Sequence, residues 1–183
     1  MSIATDPTTE QLVAELHSVD GKAEIVDGRI LRMSPTGGRP GRAGYRICRS
    51  LEAFEALLGG YVYPDNVAFL VDLPNRKSFA PDAAFSKAAP GMEFVQGAPL
   101  FAAEVRYEGD YGPAAERKMA SKRADYFAAG TKVVWDVNLL GRDVVRVYRA
   151  DAPDQPTIYH RGETAEAEPA VPGWSFPVDE LFE

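Results

Sequence analysis

Three ionisable side chains occupy sequence surroundings in which an uncompensated charge would be costly. Lys122 belongs to a stripe at helical spacing whose other members are apolar or amphipathic: Ala115, Met119, Tyr126 and Ala129. Glu104 interrupts the alternating segment LFAAEVRY, and Asp82 follows Pro81 at the start of a short apolar segment. A buried, unpaired lysine is unfavourable by several kcal/mol. Lys122 must therefore either extend its amine to solvent or meet a carboxylate such as Glu104.

Asp82 and Glu104 can converge if the segments that carry them are neighbouring strands. Two adjacent carboxylates repel each other, and their ionised forms require a cation. Oxygen ligands favour Mg²⁺ or Mn²⁺, and a lysine beside such an ion suits phosphodiester chemistry. In the alternative interpretation Asp82 caps a turn and Glu104 pairs with Arg106, and Lys122 reaches solvent. Lys118, one turn earlier, is the substitute for Lys122.

The elements that must position these residues follow from periodicity and turn residues. The Asp27-Gly28 dipeptide predicts a β-hairpin over residues 22–33. Helices are predicted over residues 42–58 and 114–129, and strands over residues 61–71, 82–86, 100–107, 132–138 and 143–149, with a loop over 87–99. The second helix is the crossover that a parallel pair of strands requires. These elements predict an α/β fold, a mixed β-sheet flanked by helices, with an N-terminal β-hairpin.

Length and composition set the class of protein. The 183 residues predict a single domain over 22–183, preceded by an N-terminal extension over 1–21. The single cysteine, Cys48, and two histidines exclude a disulfide framework and a zinc cluster. The lone thiol, the absence of an apolar run of membrane-spanning length and the lack of a signal peptide predict a cytoplasmic protein with no membrane partner. The sequence leaves the choice between monomer and homodimer open.

Charge is unevenly distributed along the chain. The net charge of −7 argues against non-specific coating of nucleic acid. Between Gly28 and Leu51, however, there are six arginines and no acidic residue: Arg29, Arg32, Arg39, Arg42, Arg46 and Arg49. This stretch is either a solvated helix face or a surface that meets a polyanion. The region from Ala150 is rich in Pro and acids, with Trp174, Phe176, Leu181 and Phe182 available to fold back on the core.

The order of several short motifs resembles the Uma-type restriction endonuclease family of the PD-(D/E)xK nuclease superfamily. The motifs are Glu24-Ile-Val-Asp-Gly28, Met33-Ser34-Pro35, Pro81-Asp82, Glu104-Val105-Arg106, Lys122 with Tyr126, Ala129-Gly130, Val134-Trp135-Asp136-Val137, Pro172-Gly173 and Glu180-Leu181-Phe182. The resemblance runs from about residue 22 to residue 183. It implies the restriction-endonuclease-like fold.

The resemblance also implies roles for individual residues. Asp82 and Glu104 would bind Mg²⁺ or Mn²⁺ with the backbone carbonyl of Val105, and Lys122 on the helix would replace the strand lysine of the motif. Arg106 stands where that lysine usually lies and could stabilise negative charge without acting as a base. Glu24 would complete the acidic cluster, unless it is an exposed hairpin acid.

The function that the resemblance implies is a metal-dependent endonuclease acting on nucleic acid, with DNA as the expected substrate. Two alternatives remain open at the level of sequence. The first is a binding or assembly module that keeps the nuclease fold without cleavage, and the second is an enzyme acting on a small phosphate ester. The segment Tyr107-Glu108-Gly109-Asp110 replaces the small loop that usually follows Glu-Val in the family, which alters the rim of the site.

Overall fold

The computed structural model describes residues 7–183. The four α-helices are α1 (Thr9–His17), α2 (Gly38–Leu51), α3 (Glu55–Leu58) and α4 (Pro113–Ala128), and 3-10 turns span Glu52–Phe54 and Val178–Phe182. The strands are β1 (Ala23–Val26), β2 (Arg29–Arg32), β3 (Tyr61–Pro64), β4 (Phe69–Leu70), β5 (Ser78–Phe79), β6 (Ala83–Ser86), β7 (Val95–Gln96), β8 (Phe101–Val105), β9 (Val133–Val137), β10 (Val145–Arg149), β11 (Ala152–Tyr159), β12 (Thr164–Glu166) and β13 (Ser175–Pro177). The predicted α/β class is confirmed.

A six-stranded mixed sheet forms the centre of the molecule. Its strands lie in the order β11-β10-β9-β8-β6-β3. β8 and β9 pair in parallel, and α4 connects them as predicted, whereas the other neighbours are antiparallel. The carboxyl end of β8 and the beginning of β6 therefore lie at the same edge of the sheet. This is the edge on which the candidate site is built.

Side chains alternate between two cores on the faces of this sheet. Phe101, Ala103 and Val105 point towards α2 and the C-terminal segment, while Ala102 packs with Tyr126 of α4 on the other face. This alternation puts Glu104 on the α4 face, as the period of two predicted. The apolar residues of the C-terminal segment do fold back, since Trp174, Phe176 and Leu181 are buried in the α2-side core.

The N-terminal hairpin is a separate two-stranded sheet that α1 covers. Asp27 and Gly28 form its turn with positive φ angles of 49° and 71°. Leu12 and Leu16 of α1 pack on Ile25, which is fully buried. The predicted hairpin is confirmed. Of the predicted N-terminal extension, residues 1–6 lie outside the described residues.

The first long helix differs from the prediction at both ends. It begins at Gly38 rather than at residue 42, and its α-helical part ends at Leu51, beyond which a 3-10 turn leads into α3. Prolines and glycines before residue 44 suggested irregular backbone. Pro40 is accommodated because it lies in the first turn, where an N–H has no helical partner to lose.

Two further predictions were wrong in extent. The strand predicted over residues 61–71 is two strands in different sheets, because Asn66 adopts a positive φ of 67° and turns the chain. The loop predicted over residues 87–99 contains β7. The region after Ala150, for which no element was predicted, contains β11, which pairs with β10. Pro153 and Pro156 are tolerated in β11 because it is an outermost strand of the sheet and pairs on one side only.

Candidate active site

Asp82 and Glu104 lie at one edge of the central sheet. Asp82 immediately precedes β6, whose Ala83 is opposite Ala103 of β8, so the next pair outward is Asp82 and Glu104. Directly opposed residues of an antiparallel pair project to the same face. The Oδ2 atom of Asp82 accepts a hydrogen bond of 2.6 Å from the backbone N–H of Val105, which fixes the carboxylate against the end of β8.

Lys122 meets carboxylates instead of reaching solvent. Its Nζ lies 2.8 Å from Oε1 of Glu104 and 2.8 Å from Oε1 of Glu24. Only 15% of the Lys122 side chain is exposed, whereas Lys118 is exposed to solvent. Burial by itself would lower the pKa of Lys122, but the charges of Glu104 and Glu24 more than offset it and raise the pKa. Lys122 therefore remains an ammonium between two buried acids.

Glu104 of β8 is held by a tyrosine of α4, the helix that carries Lys122. The hydroxyl of Tyr126 donates a 2.6 Å hydrogen bond to Oε1 of Glu104, and its ring stacks on Phe79 with centroids 3.9 Å apart. Burial raises the pKa of Glu104, and the neighbouring charge of Asp82 adds to the rise while Lys122 opposes it. The sequence placed Tyr126 in the core-facing stripe, but its hydrogen bond to Glu104 was not foreseen.

Glu24 is a buried acid that orients Lys122. Its residue is 1% exposed, so the alternative of an exposed hairpin acid is wrong. Besides Lys122, Oε1 accepts a hydrogen bond from the N–H of Ala80 at 2.9 Å, and Oε2 accepts one from Arg76 at 2.5 Å. Both oxygens are therefore occupied by protein donors. Since the Glu24 side chain is only 2% exposed, against 16% for Asp82, these contacts favour a positioning role for Glu24 over the predicted role as a metal ligand.

Arg76 and Asp125, which the sequence did not single out, extend this network. The guanidinium of Arg76 bridges Glu24 and Asp125, with its Nε 2.8 Å from Oδ2 of Asp125. Asn75 also donates to Asp125 at 2.9 Å. Arg76 follows the segment Leu73-Pro74-Asn75, whose Pro and Asn are typical of a turn, where an arginine is ordinarily solvated. Only the docking of the hairpin against this turn brings it beside Glu24.

Arg106 faces a different set of partners. Its Nε and Nη2 donate to the two oxygens of Asp136 at 2.6 and 2.7 Å, and Nη1 and Nη2 pair with Glu116 on α4. Only 1% of the Arg106 side chain is exposed. The alternative pairing of Glu104 with Arg106 is therefore not formed. Its contacts favour a role in attaching α4 to β9 over the predicted catalytic one.

The pair of Arg106 and Glu116 predicts a measurable pH dependence of stability. Hydrogen bonds from Arg106 lower the pKa of Glu116 below its ordinary value of 4.5. A lowered folded-state pKa stabilises the protein above pH 4.5, and this contribution is lost as the pH falls through the folded-state pKa. We expect Glu116→Gln to flatten the pH dependence of the free energy of unfolding below pH 4.5, measured by urea denaturation.

An exposed acid of the adjoining loop provides the control for this prediction. Glu108 is exposed, so Glu108→Gln should leave the pH dependence of the wild type unchanged. A Glu116→Gln profile as steep as that of the wild type would show that the ion pair with Arg106 does not stabilise the fold.

The comparisons with known proteins show the family and the fold of this chain. The family model described as "Uma2: Putative restriction endonuclease" matches residues 10–179. The chain belongs to this family. It is also similar in structure to a "putative nuclease belonging to DUF820" from Anabaena variabilis ATCC 29413, with a TM-score of 0.71 and 13% identity over 93% of this chain and 97% of that chain. At this identity the likeness shows the fold alone. The search of curated proteins found no match.

The donor set of this Uma2-family chain fits a hard divalent cation that keeps part of its water shell. No cluster of three or more His, Cys, Asp or Glu side chains arranged for a metal occurs within residues 7–183. Mg²⁺ is commonly held by one or two carboxylates together with water and substrate phosphate. Asp82 and Glu104 could provide the two carboxylates. Val105, the predicted carbonyl ligand, already contacts Asp82 through its N–H.

Charge balance also favours a divalent cation. The site and its surrounding network contain five acids and three cations, which give a net charge of −2 when all are ionised: Asp65, Asp82, Glu24, Glu104 and Asp125, with Lys22, Arg76 and Lys122. One divalent ion would neutralise this set. Because most of these groups are shielded from water, the imbalance is costly without such an ion.

The basic stretch of this Uma2-family chain approaches the site at one residue, Gly44 of α2. A Cβ on Gly44 of α2 would lie 3.2 Å from the backbone oxygen of Asp82, so any side chain there would crowd this close approach of the helix. Most of the arginines on the hairpin and α2 are exposed: Arg29, Arg32, Arg39, Arg42 and Arg49. Tyr45, 57% exposed, lies among them. Arg46 is partly shielded and lies 3.4 Å from Glu183.

Proposed function

We propose that this protein is a divalent-metal-dependent endonuclease that hydrolyses phosphodiester bonds of nucleic acid, with DNA as its substrate. The observation that carries the proposal is the contact of Lys122 with Glu104 beside Asp82 at one edge of the sheet. Membership of a family described as restriction endonucleases supports the hydrolytic class. Asp82 and Glu104 would bind Mg²⁺ or Mn²⁺, with the carbonyl of Val105 as a further ligand.

A bound divalent ion supplies Lewis acidity towards a phosphoryl oxygen and lowers the pKa of bound water. The protein's own part is positioning and charge. Lys122 keeps a protonated amine at the acids, where it can donate to a phosphate oxygen or orient a water for attack. Glu24 and Tyr126 hold Lys122 and Glu104 in place, since each contacts one of them through a buried hydrogen bond or ion pair.

The exposed arginines supply the affinity for a polyanion. Arginine binds backbone phosphates through charge and paired hydrogen bonds without reading the base sequence. Gly44 of α2 packs against the backbone of Asp82, so a strand bound along α2 would lie near the end of the sheet that carries the site. The overall charge of −7 confines this attraction to one surface and disfavours binding elsewhere. None of the helices in the described part of the chain could span a membrane.

The proposal is tested with the purified full chain on closed circular DNA, single-stranded DNA and RNA. Circular DNA is the sharpest substrate, because a single internal cut changes its mobility and no free end is needed. We expect cutting with Mg²⁺ or Mn²⁺ and none in EDTA, with DNA cut faster than RNA.

The alternatives give different results in the same assay. Retention of DNA without cutting in either metal would contradict the proposal and indicate a binding module. Hydrolysis of a small phosphate ester without cleavage of any polymer would contradict it in favour of the other class of enzyme.

A further inference from the structure

Lys22 is a second partly buried amine at the site, on the residue before β1. Its Nζ lies 2.6 Å from Oδ1 of Asp82 and 2.7 Å from Oδ1 of Asp65. The side chain of Lys22 is 16% exposed and that of Asp65 is 41% exposed. The ammonium thus bridges a shielded acid of the site and a more solvated acid of the turn after β3.

The amine holds the oxygen of Asp82 that is not bound to the backbone. Oδ2 accepts from the N–H of Val105, and Oδ1 accepts from Lys22. Burial by itself would lower the pKa of Lys22, but the charges of Asp82 and Glu104 more than offset it and raise the pKa. The positive charge therefore acts on both acids to which we assign metal binding.

Asp65 is fixed in place by a hydrogen bond that does not depend on Lys22, so it could hold the amine without Asp82. One of its oxygens accepts a 2.8 Å hydrogen bond from the N–H of Asn66, the residue with positive φ at this turn. This local bond fixes the Asp65 carboxylate whether or not Lys22 contacts Asp82. The lysine side chain has enough rotatable bonds to leave one acid and keep the other.

We infer that Lys22 is a built-in counter-cation of Asp82 that a divalent metal must displace, and that Asp65 retains the amine after displacement. The inference rests on the proposed function, because it takes Asp82 as a metal ligand. It assigns to Lys22 and Asp65 the control of metal affinity. Lys22 competes with the metal for Asp82, and Asp65 weakens that competition.

The test is a Mn²⁺ titration of the full chain, followed by the electron paramagnetic resonance signal of free Mn²⁺. We expect Lys22→Met to bind Mn²⁺ at least about tenfold more tightly, because a neighbouring positive charge is removed from a shielded site. Asp65→Asn should bind it several-fold more weakly. In the Lys22→Met background, Asp65→Asn should have little effect, since no amine remains to be held.

The double variant separates this inference from simple summation of charges. Additive effects of the two substitutions would overturn it, as would an unchanged affinity in Lys22→Met. Lys77→Met is the control, because Lys77 also pairs with an aspartate, Asp72, and should leave Mn²⁺ affinity unchanged. Lys22→Gln replaces Lys22→Met should the latter fail to fold.

Failure of this inference is distinguishable from failure of the proposed function. Metal-dependent cutting by the wild type with unchanged Mn²⁺ affinity in Lys22→Met would overturn the inference alone. The expected affinity changes without any cutting would support the inference and contradict the endonuclease. No Mn²⁺ binding by the wild type or any variant would overturn the inference together with the metal dependence of the proposed function.

Discussion

Glu104→Gln is expected to reduce metal-dependent cutting by about 10³-fold or more, a loss typical of removing a group that organises charge in an active site. Gln keeps the size of the side chain and an oxygen that can accept from Tyr126, but it has no charge for a divalent ion or for Lys122. The measurement is the initial rate of nicking of circular DNA in Mn²⁺, with metal affinity followed separately.

The same substitution should not weaken the fold. Burial raises the pKa of Glu104, so the ionised form contributes unfavourably to the free energy of folding at neutral pH. A neutral amide removes that cost, although Lys122 then keeps only Glu24 as an acidic partner. We therefore expect a thermal midpoint equal to or above that of the wild type. Loss of activity without loss of stability is the result that a purely structural Glu104 would not give.

Two matched controls make this result interpretable. Glu108→Gln, on the exposed loop after β8, should cut like the wild type. Lys118→Met should also remain active, whereas Lys122→Met should lose cutting, because Lys118 is exposed on the same helix. Undiminished cutting by Glu104→Gln would show either that Glu104 takes no part in the reaction or that a contaminating nuclease cuts the DNA. Lys122→Met prepared in the same way distinguishes these cases, because a contaminant would cut DNA in that sample too.

Local patterns predicted the parts of the site that lie on one element or on adjacent elements. The anomalous lysine in the stripe of α4 and the anomalous acid in β8 are joined by a crossover. Their meeting therefore follows from the parallel pairing of β8 and β9. The alternation of side chains along β8 likewise predicted that Phe101 and Glu104 lie on opposite faces of the sheet. Periodicity singled out these two residues because a charge stands out against the apolar positions around it, but it left open whether Lys122 meets Glu104 or reaches solvent.

Sequence patterns could not predict the contacts made by docking of the hairpin. Lys22 and Glu24 flank Ala23 in a segment that looks amphipathic, and Arg76 follows an ordinary turn. Their ion pairs join residues 43 to 98 positions apart in the chain. These contacts depend on how α1 and the hairpin pack on the rest of the fold, which neither turn chemistry nor periodicity specifies. The one available signal was the isolation of Lys22 among the acids of the first 27 residues.

Replacement of Arg76 by Met is expected to produce the largest loss of stability, about 3–5 kcal/mol in the free energy of unfolding. Arg76 lies between two shielded carboxylates, Glu24 at 1% exposure and Asp125 at 9%. Without the guanidinium, Asp125 loses its charged partner, and Glu24 keeps only Lys122. The measurement is urea denaturation at neutral pH, with the slope compared between variants to verify that both unfold in one transition.

A surface pair and a charge-neutral variant test whether uncompensated charge is the cause. Arg161→Met removes a guanidinium that is 58% exposed and pairs with Asp179, and should lose no more than about 1 kcal/mol. The combination of Arg76→Met with Glu24→Gln and Asp125→Asn should be more stable than Arg76→Met alone, because the carboxylate left without a charged partner, Asp125, and the one left with Lys122 alone, Glu24, both become neutral amides. If the combined variant were no more stable, lost packing of the Arg76 side chain on Phe79, whose ring centroid lies 4.9 Å from the guanidinium, would account for the loss.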